Sequence, residues 1–196
     1  MREIVRPARL WSRAEVLARP SPVPAVSGVY GWYFKSLPPG VDASGCVEHA
    51  GLRLLYVGIS PQESVPPRLP SQETLRKRIR YHYGGSGGNA EGSTLRCTLG
   101  VLLGLELRRV GSGKRFTFSA VNGRRGDEAQ LDGWMDENAF VCWWVCEQPW
   151  LAELSLIRSL DLPLNLRDNS AHPFHPVLSA ARKAAKARAR ELPVLT

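Results

Sequence analysis

Val29-Tyr30-Gly31-Trp32-Tyr33-Phe34, followed after a polar loop by Leu54-Leu55-Tyr56-Val57-Gly58, is the stretch whose reading decides the fold. Both runs are short and rich in β-branched and aromatic residues, a composition that fits a pleated, buried surface. Pro38-Pro39-Gly40 breaks the first run and a loop continues to Gly51, so the two read as antiparallel strands. A Pro-containing loop then leads to Thr74, where a basic helix begins and runs to Gly84-Gly85.

On the N-terminal side, Ser12-Arg13-Ala14-Glu15 has capping-box spacing and predicts a short helix to about Ala18. Pro20, Pro22 and Pro24 force an extended linker after it. On the C-terminal side, residues 84–92 hold five glycines and read as a flexible connector. Leu95, Leu99, Leu102, Leu103 and Leu107 approximate helical spacing. Residues 115–121 read as a strand, and Asp127 caps a helix carrying Leu131, Trp134 and Met135. Residues 140–146 are apolar on both faces, which suits a central, buried strand. A helix over 151–160 is halted by Pro163, and residues 179–191 form a last helix rich in alanine and base. Strands interleaved with helices, without internal repeat, place the chain in the α+β class.

A chain of 196 residues with 43% hydrophobic content and six tryptophans can build one well-cored domain. No run approaches the roughly 20 apolar residues of a membrane helix, and Met1 to Arg6 is not followed by an apolar core and cleavage site. Cys46, Cys97, Cys142 and Cys146 form no CxxC pair, so free thiols in a reducing cytoplasm are expected. The formal charge of +8 points to a polyanionic partner, because cations that neutralise phosphates release condensed counterions.

Four separated pieces carry the chemistry: Gly28-Val29-Tyr30, Tyr56-Val57-Gly58, the helix Leu75-Arg76-Lys77-Arg78-Ile79-Arg80-Tyr81-His82, and Glu153-Leu154-Ser155-Leu156-Ile157-Arg158 with Pro163-Leu164-Asn165. Each alone is weak: a tyrosine on a strand is usually core, and a charge run is usually a solvated helix face. In this order and on these elements the set resembles the GIY-YIG nuclease superfamily, closest in style to its restriction-type members. The resemblance covers about 26–165, with valine twice where the family has isoleucine. It implies a small mixed or antiparallel sheet flanked by helices, with an inserted α/β segment at about 84–150. The implied organisation is an N-terminal helix and linker over 1–25, a nuclease domain over 26–170, and a basic C-terminal helix over 171–196.

The resemblance also implies the site: Tyr30, Tyr56, Arg78, His82, Glu153 and Asn165, with Glu153 as ligand to Mg²⁺ or Mn²⁺. A carboxylate is a hard donor suited to an ion that keeps most of its water. Arg78 cannot lose its proton and presents a planar fork for phosphoryl oxygens. His82 lies one helical turn on and, with an ordinary imidazole, would titrate near neutrality. Tyr30 and His82 both remain candidates for the base, and Asn165 is expected to support the site by hydrogen bonding. Arg76, Lys77, Arg80, Arg182, Lys183 and Lys186 are the expected contacts to DNA phosphates. The sequence reading is therefore a one-metal DNA endonuclease in restriction, defence or repair. Its rival is a DNA-binding module that keeps the fold without efficient cleavage. His172 and His175 flank Pro173-Phe174, but no further ligand has zinc spacing nearby, so a packed turn is expected.

Overall fold

The computed structural model describes residues 1–62, 72–118 and 126–195. Its main sheet is built from β1 Gly28–Phe34, β2 Glu48–His49, β3 Leu52–Ser60 and β6 Ala139–Val145, with a separate hairpin of β4 Arg108–Val110 and β5 Arg115–Thr117. The order is β2-β3-β1-β6, and every pairing is antiparallel. The fold is α+β, as the sequence implies.

Alternation along β1 divides the core into two layers. Tyr30, Trp32 and Phe34 enter one layer; Val29 and Tyr33 enter the other. Trp32 faces Tyr56 but Tyr33 faces Leu54, so Leu55 is an unopposed bulge residue. Leu55 and Tyr56 consequently share the layer of Tyr30, while Leu54 and Val57 join the other. Gly28 is required by close approach, since a Cβ there would lie 2.3 Å from the Trp144 carbonyl oxygen on β6.

The Tyr30 layer is covered by α2 Arg13–Leu17, α3 Leu75–His82, α4 Thr94–Leu102, α5 Gly126–Asn138 and α7 His175–Glu191. The opposite layer is closed by α1 Arg2–Val5 and α6 Pro149–Ser159. Helix α2 has the full capping box between Ser12 and Glu15, and Thr74 caps α3 by accepting from the Lys77 amide. Helix α1 has no sequence signal. It is held by Ile4, fully buried, whose carbonyl accepts from the Tyr33 hydroxyl at 2.7 Å.

Three expectations change. Strand β6 lies at the end of the sheet, not at its centre. It is apolar on both faces because Cys142 packs with α1 and α6 while Ala139 and Val141 pack in the other layer. Its outer edge is partly covered where the Trp11 and Val141 amides donate to each other's carbonyls at 2.9 and 3.0 Å. The segment over 84–150 supplies this strand, so the inserted segment includes an integral part of the main sheet. Helix α7 begins four residues before the expected start, with Pro176 in its first turn. It is docked: the Arg109 guanidinium donates to the Ala189, Arg190 and Leu192 carbonyls at its C-terminal end, at 3.2, 2.9 and 3.2 Å. Of the strand expected over 115–121, the last three positions lie outside the described residues, as does most of the Pro-containing loop before Thr74. Among the described residues no helix is long and apolar enough to cross a membrane.

Candidate active site

The bulged pairing puts Tyr30 opposite Gly58 and Tyr56 opposite Trp32, so both phenols project from one face. Tyr30 lies over Gly58 so closely that a Cβ there would meet its Oη at 2.5 Å. That contact is the physical reason for glycine after Tyr56-Val57. The two tyrosines line a cavity of about 270 Å³ with Arg78 from α3, Glu153 and Ile157 from α6, and Asn165 from the turn beyond it.

Asn165 does not reach for a ligand. Its Oδ1 accepts from the Val57 amide and its Nδ2 donates to the Val57 carbonyl, both at 2.9 Å. Just before it, the Leu164 amide donates to the Leu55 carbonyl at 3.1 Å. Together they satisfy the free edge of β3 beside Tyr56.

Arg78 and His82, four residues apart on α3, have opposite environments. Arg78 is half-buried; its Nη1 donates to the Gly92 carbonyl at 2.8 Å and its guanidinium faces the cavity. His82 is fully buried, with Nε2 2.8 Å from Tyr30 Oη and Nδ1 2.6 Å from Ser93 Oγ. Burial, reinforced by the charges of Arg78 and Arg96, holds its pKa well below the ordinary histidine range. The imidazole is therefore neutral at physiological pH, where the sequence alone suggests a group titrating near neutrality. Burial likewise pushes the Tyr30 phenol up to about 12, with Arg78 pulling the other way, and raises Tyr56 above its usual value.

Glu153 sits at the open side. Its side chain is 12% exposed and its nearest described cation is Arg167, at 3.7 Å. Burial pushes the carboxyl up to about 7, an effect that Arg167 reduces and Asp168 increases. A half-desolvated carboxylate at a polar cavity suits one hard cation that retains water. Among the described residues no group of three or more His, Cys, Asp or Glu converges on a metal position.

Four participants had no recognisable signal in the sequence. Arg167, which also bonds Gln62, and Thr94 add to the cavity wall. Ser93 stands behind His82. Arg96 is fully buried: it donates to the His82 carbonyl at 3.2 Å and pairs with Glu128 and with Asp132, the latter at 2.8 Å.

The expected phosphate contacts are more heavily engaged than a solvated basic face. Arg76 Nε donates to the Val23 carbonyl at 2.6 Å, and Arg80 Nη1 to that of Val16 at 2.8 Å, so both anchor the N-terminal segment. Lys77 Nζ donates to the Gln72 carbonyl at 3.1 Å. These three still border a surface hollow of about 580 Å³ beside Arg78. On α7, Arg182 donates to Thr98 Oγ1 at 3.4 Å and Lys186 lies 5.5 Å over the Phe116 ring, while Lys183 is exposed. His172 is bound through Nε2 to Asp161, and its Nδ1 accepts from the Phe174 amide at 3.0 Å, so both ring nitrogens are engaged within the turn.

Comparison with known families agrees with this geometry. The family model of the GIY-YIG catalytic domain matches residues 28–184, extending from β1 into α7. No match was found among curated proteins or solved structures. With that match over most of its length, and with a nuclease-type function on a nucleic-acid substrate implied by it, the chain belongs to the GIY-YIG catalytic domain family.

Proposed function

We propose that this chain is a divalent-metal-dependent DNA endonuclease, in restriction or defence before repair. The observation that carries the reading is the convergence of Tyr30, Tyr56, Arg78 and Glu153 on one polar cavity. Phosphodiester hydrolysis needs an activated water, cations for the phosphoryl oxygens and help for the leaving oxygen. Glu153 would hold Mg²⁺ or Mn²⁺, and such an ion supplies charge neutralisation at the phosphate and the departing oxygen. Arg78 binds non-bridging oxygens from α3, with Arg167 available across the cavity.

Water activation falls to Tyr30 on this reading. His82 is sealed from solvent and touches the reaction only through the Tyr30 oxygen, while Tyr30 borders the cavity. Arg78 favours the phenolate and offsets part of the cost of burial. Tyr56 flanks the phosphate, and Asn165 keeps Tyr56 in place through Val57. The DNA backbone runs over the hollow bordered by Arg76, Lys77 and Arg80 and toward Arg182, Lys183 and Lys186 on α7. The four free cysteines accord with a reducing, cytoplasmic setting.

Incubating the pure protein with plasmid and with duplex oligonucleotides, in Mg²⁺ and in EDTA, tests the reading. Cleavage is expected in Mg²⁺ alone. DNA binding without cleavage in either condition would convert the assignment to a DNA-binding module.

A further inference from the structure

Behind Tyr30 runs a dry chain of polar atoms: Tyr30 Oη, His82 Nε2, His82 Nδ1 and Ser93 Oγ, with contacts of 2.8 and 2.6 Å at its two ends. His82 and Ser93 are both fully buried. Buried donors and acceptors are almost always paired, so the protons along this chain can be assigned by counting. Ser93 is the N-cap of α4, and its Oγ accepts from the Arg96 amide at 3.0 Å. Among the described residues its only other side-chain hydrogen bond is to His82 Nδ1. The hydroxyl proton of Ser93 therefore has a single acceptor, and that acceptor is Nδ1.

A neutral imidazole has one donor nitrogen and one acceptor nitrogen. With Nδ1 accepting from Ser93, the ring proton belongs on Nε2 and is donated to Tyr30 Oη. The opposite tautomer would aim Nδ1–H at Ser93 and leave the serine proton with no acceptor in a site closed to water. A doubly protonated ring would also face the serine proton with a donor, and it would sit beside the Arg96 guanidinium, which is bonded to the His82 carbonyl at 3.2 Å.

We infer that Ser93 is a positioning residue of the nuclease site: it holds His82 in the Nε2–H tautomer, so that the imidazole donates to Tyr30 and the phenolic proton turns toward the cavity. The consequence for catalysis rests on the nuclease reading; the tautomer does not. A phenol that accepts from His82 keeps its O–H on the cavity side, so it can lose that proton to solvent there and be left as a phenolate, held by His82 Nε2–H, that takes the proton of the attacking water. The same phenol donating to His82 would have its hydrogen turned away. Ser93 thus selects between the two orientations without touching substrate, and His82 acts as hydrogen-bond donor to Tyr30.

The direct test is two-bond ¹H–¹⁵N correlation on the full-length wild type at neutral pH. The chain has four histidines, so His82 is assigned by removing His49, His172 and His175 in turn. A pyrrole-type Nε2 with a pyridine-type Nδ1 is expected for His82. A protonated Nδ1, alone or with Nε2, would overturn the assignment. Single-turnover cleavage supplies the second arm. Ser93→Ala should lower the rate by about 10–100-fold, the range for groups that orient a ring through its second nitrogen. Its KM for DNA should be unchanged, and Ser93→Thr should restore the rate. Ser93→Gly, which keeps most of the capping preference, serves if Ser93→Ala fails to fold. Variants lacking the hydroxyl yet cutting at the wild-type rate would overturn the positioning role. A wild type that cuts no DNA but shows His82 with Nε2–H removes the nuclease reading and leaves the tautomer assignment standing.

Discussion

The middle and the C-terminal end of helix α3 both adjoin Tyr30 and obey different physics. At its C-terminal end His82, Ser93 and Arg96 are sealed, and their positions are set by hydrogen bonds and ion pairs that water cannot replace. In the middle of the helix Arg78 opens onto the cavity shared with Glu153 and Arg167. Two catalytic-looking residues one turn apart can therefore have unrelated duties. The dry side fixes geometry and protonation, and the wet side carries charge that opens onto the cavity. Substitutions on the first should register in stability or tautomer, and in rate only through these, and substitutions on the second directly in rate or binding.

The largest effect should come from the dry side. Arg96→Ala leaves the buried carboxylate of Glu128 without its cationic partner and removes one from Asp132, and breaking a buried pair in this way costs about 3–5 kcal/mol. Chemical denaturation should show that loss. A change below about 1 kcal/mol, the scale of an exposed ion pair, would put Arg96 in the solvated class.

On the wet side, Arg78→Ala should slow single-turnover cleavage by about 10²–10³-fold, as for other single groups that stabilise transition-state charge. Thermal unfolding should be nearly unchanged, because the guanidinium is half-buried and bonded to one carbonyl. A comparable fall in DNA affinity with an unchanged cleavage step would make it a phosphate clamp instead.

Glu153 sharpens the contrast through pH. Its carboxyl rises from 4.5 to about 7 in the folded protein. Between those values the native state holds more protons than the unfolded state, so metal-free wild type loses stability from this group as pH rises, levelling above about pH 7. Glu153→Gln lacks that slope. In EDTA the variant should gain on wild type progressively across the window, to on the order of 3 kcal/mol. Parallel stability curves for the two proteins would show that the carboxylate is fully solvated. His82 acts with the opposite sign, since its depressed pKa removes stability as pH falls below the ordinary histidine value, and it cancels from this comparison.

The smallest effects belong to α7. Because Ala189 is buried and Arg109 caps the helix end, truncating this helix would disturb packing as well as charge. Single changes Lys183→Gln and Lys186→Gln isolate the charge. For each phosphate no longer neutralised, the slope of log K against log salt should fall by about 0.9 on duplex DNA. An unchanged slope in both would leave α7 as a solvated packing helix.

What the sequence disclosed follows from the range of the interactions involved. Strands β1 and β3 and the caps of α2 and α3 depend on neighbours within a few residues, and they are legible. The motifs also name Tyr30, Tyr56, Arg78, Glu153 and Asn165, which border one cavity, since a motif on a strand or helix fixes where a side chain projects. Ser93 is different: it ends a glycine-rich segment, and its meaning comes from His82, reached across the turn after α3. Arg96 sits among leucines and is buried only because α5 brings Glu128 and Asp132 to it. The basic run of α3 gives no hint that Arg76 holds the carbonyl of Val23 in the proline-rich linker and Arg80 that of Val16 in α2. Strand β6 misleads for a related reason: apolar faces report cover above and below a strand, and say nothing of its place in the sheet.

The central claim is that the cavity between the two tyrosines is a phosphodiester-cleaving site served by an ion on Glu153. It is tested most directly by a single-turnover time course on duplex DNA with Mg²⁺ titrated into wild type and Glu153→Gln, with both ends of each product mapped. The account expects metal-dependent cleavage by wild type, leaving 5′-phosphate and 3′-hydroxyl ends, and no cleavage by the folded variant at any Mg²⁺ concentration. Cleavage by Glu153→Gln at the wild-type rate, with the same metal dependence, would contradict it.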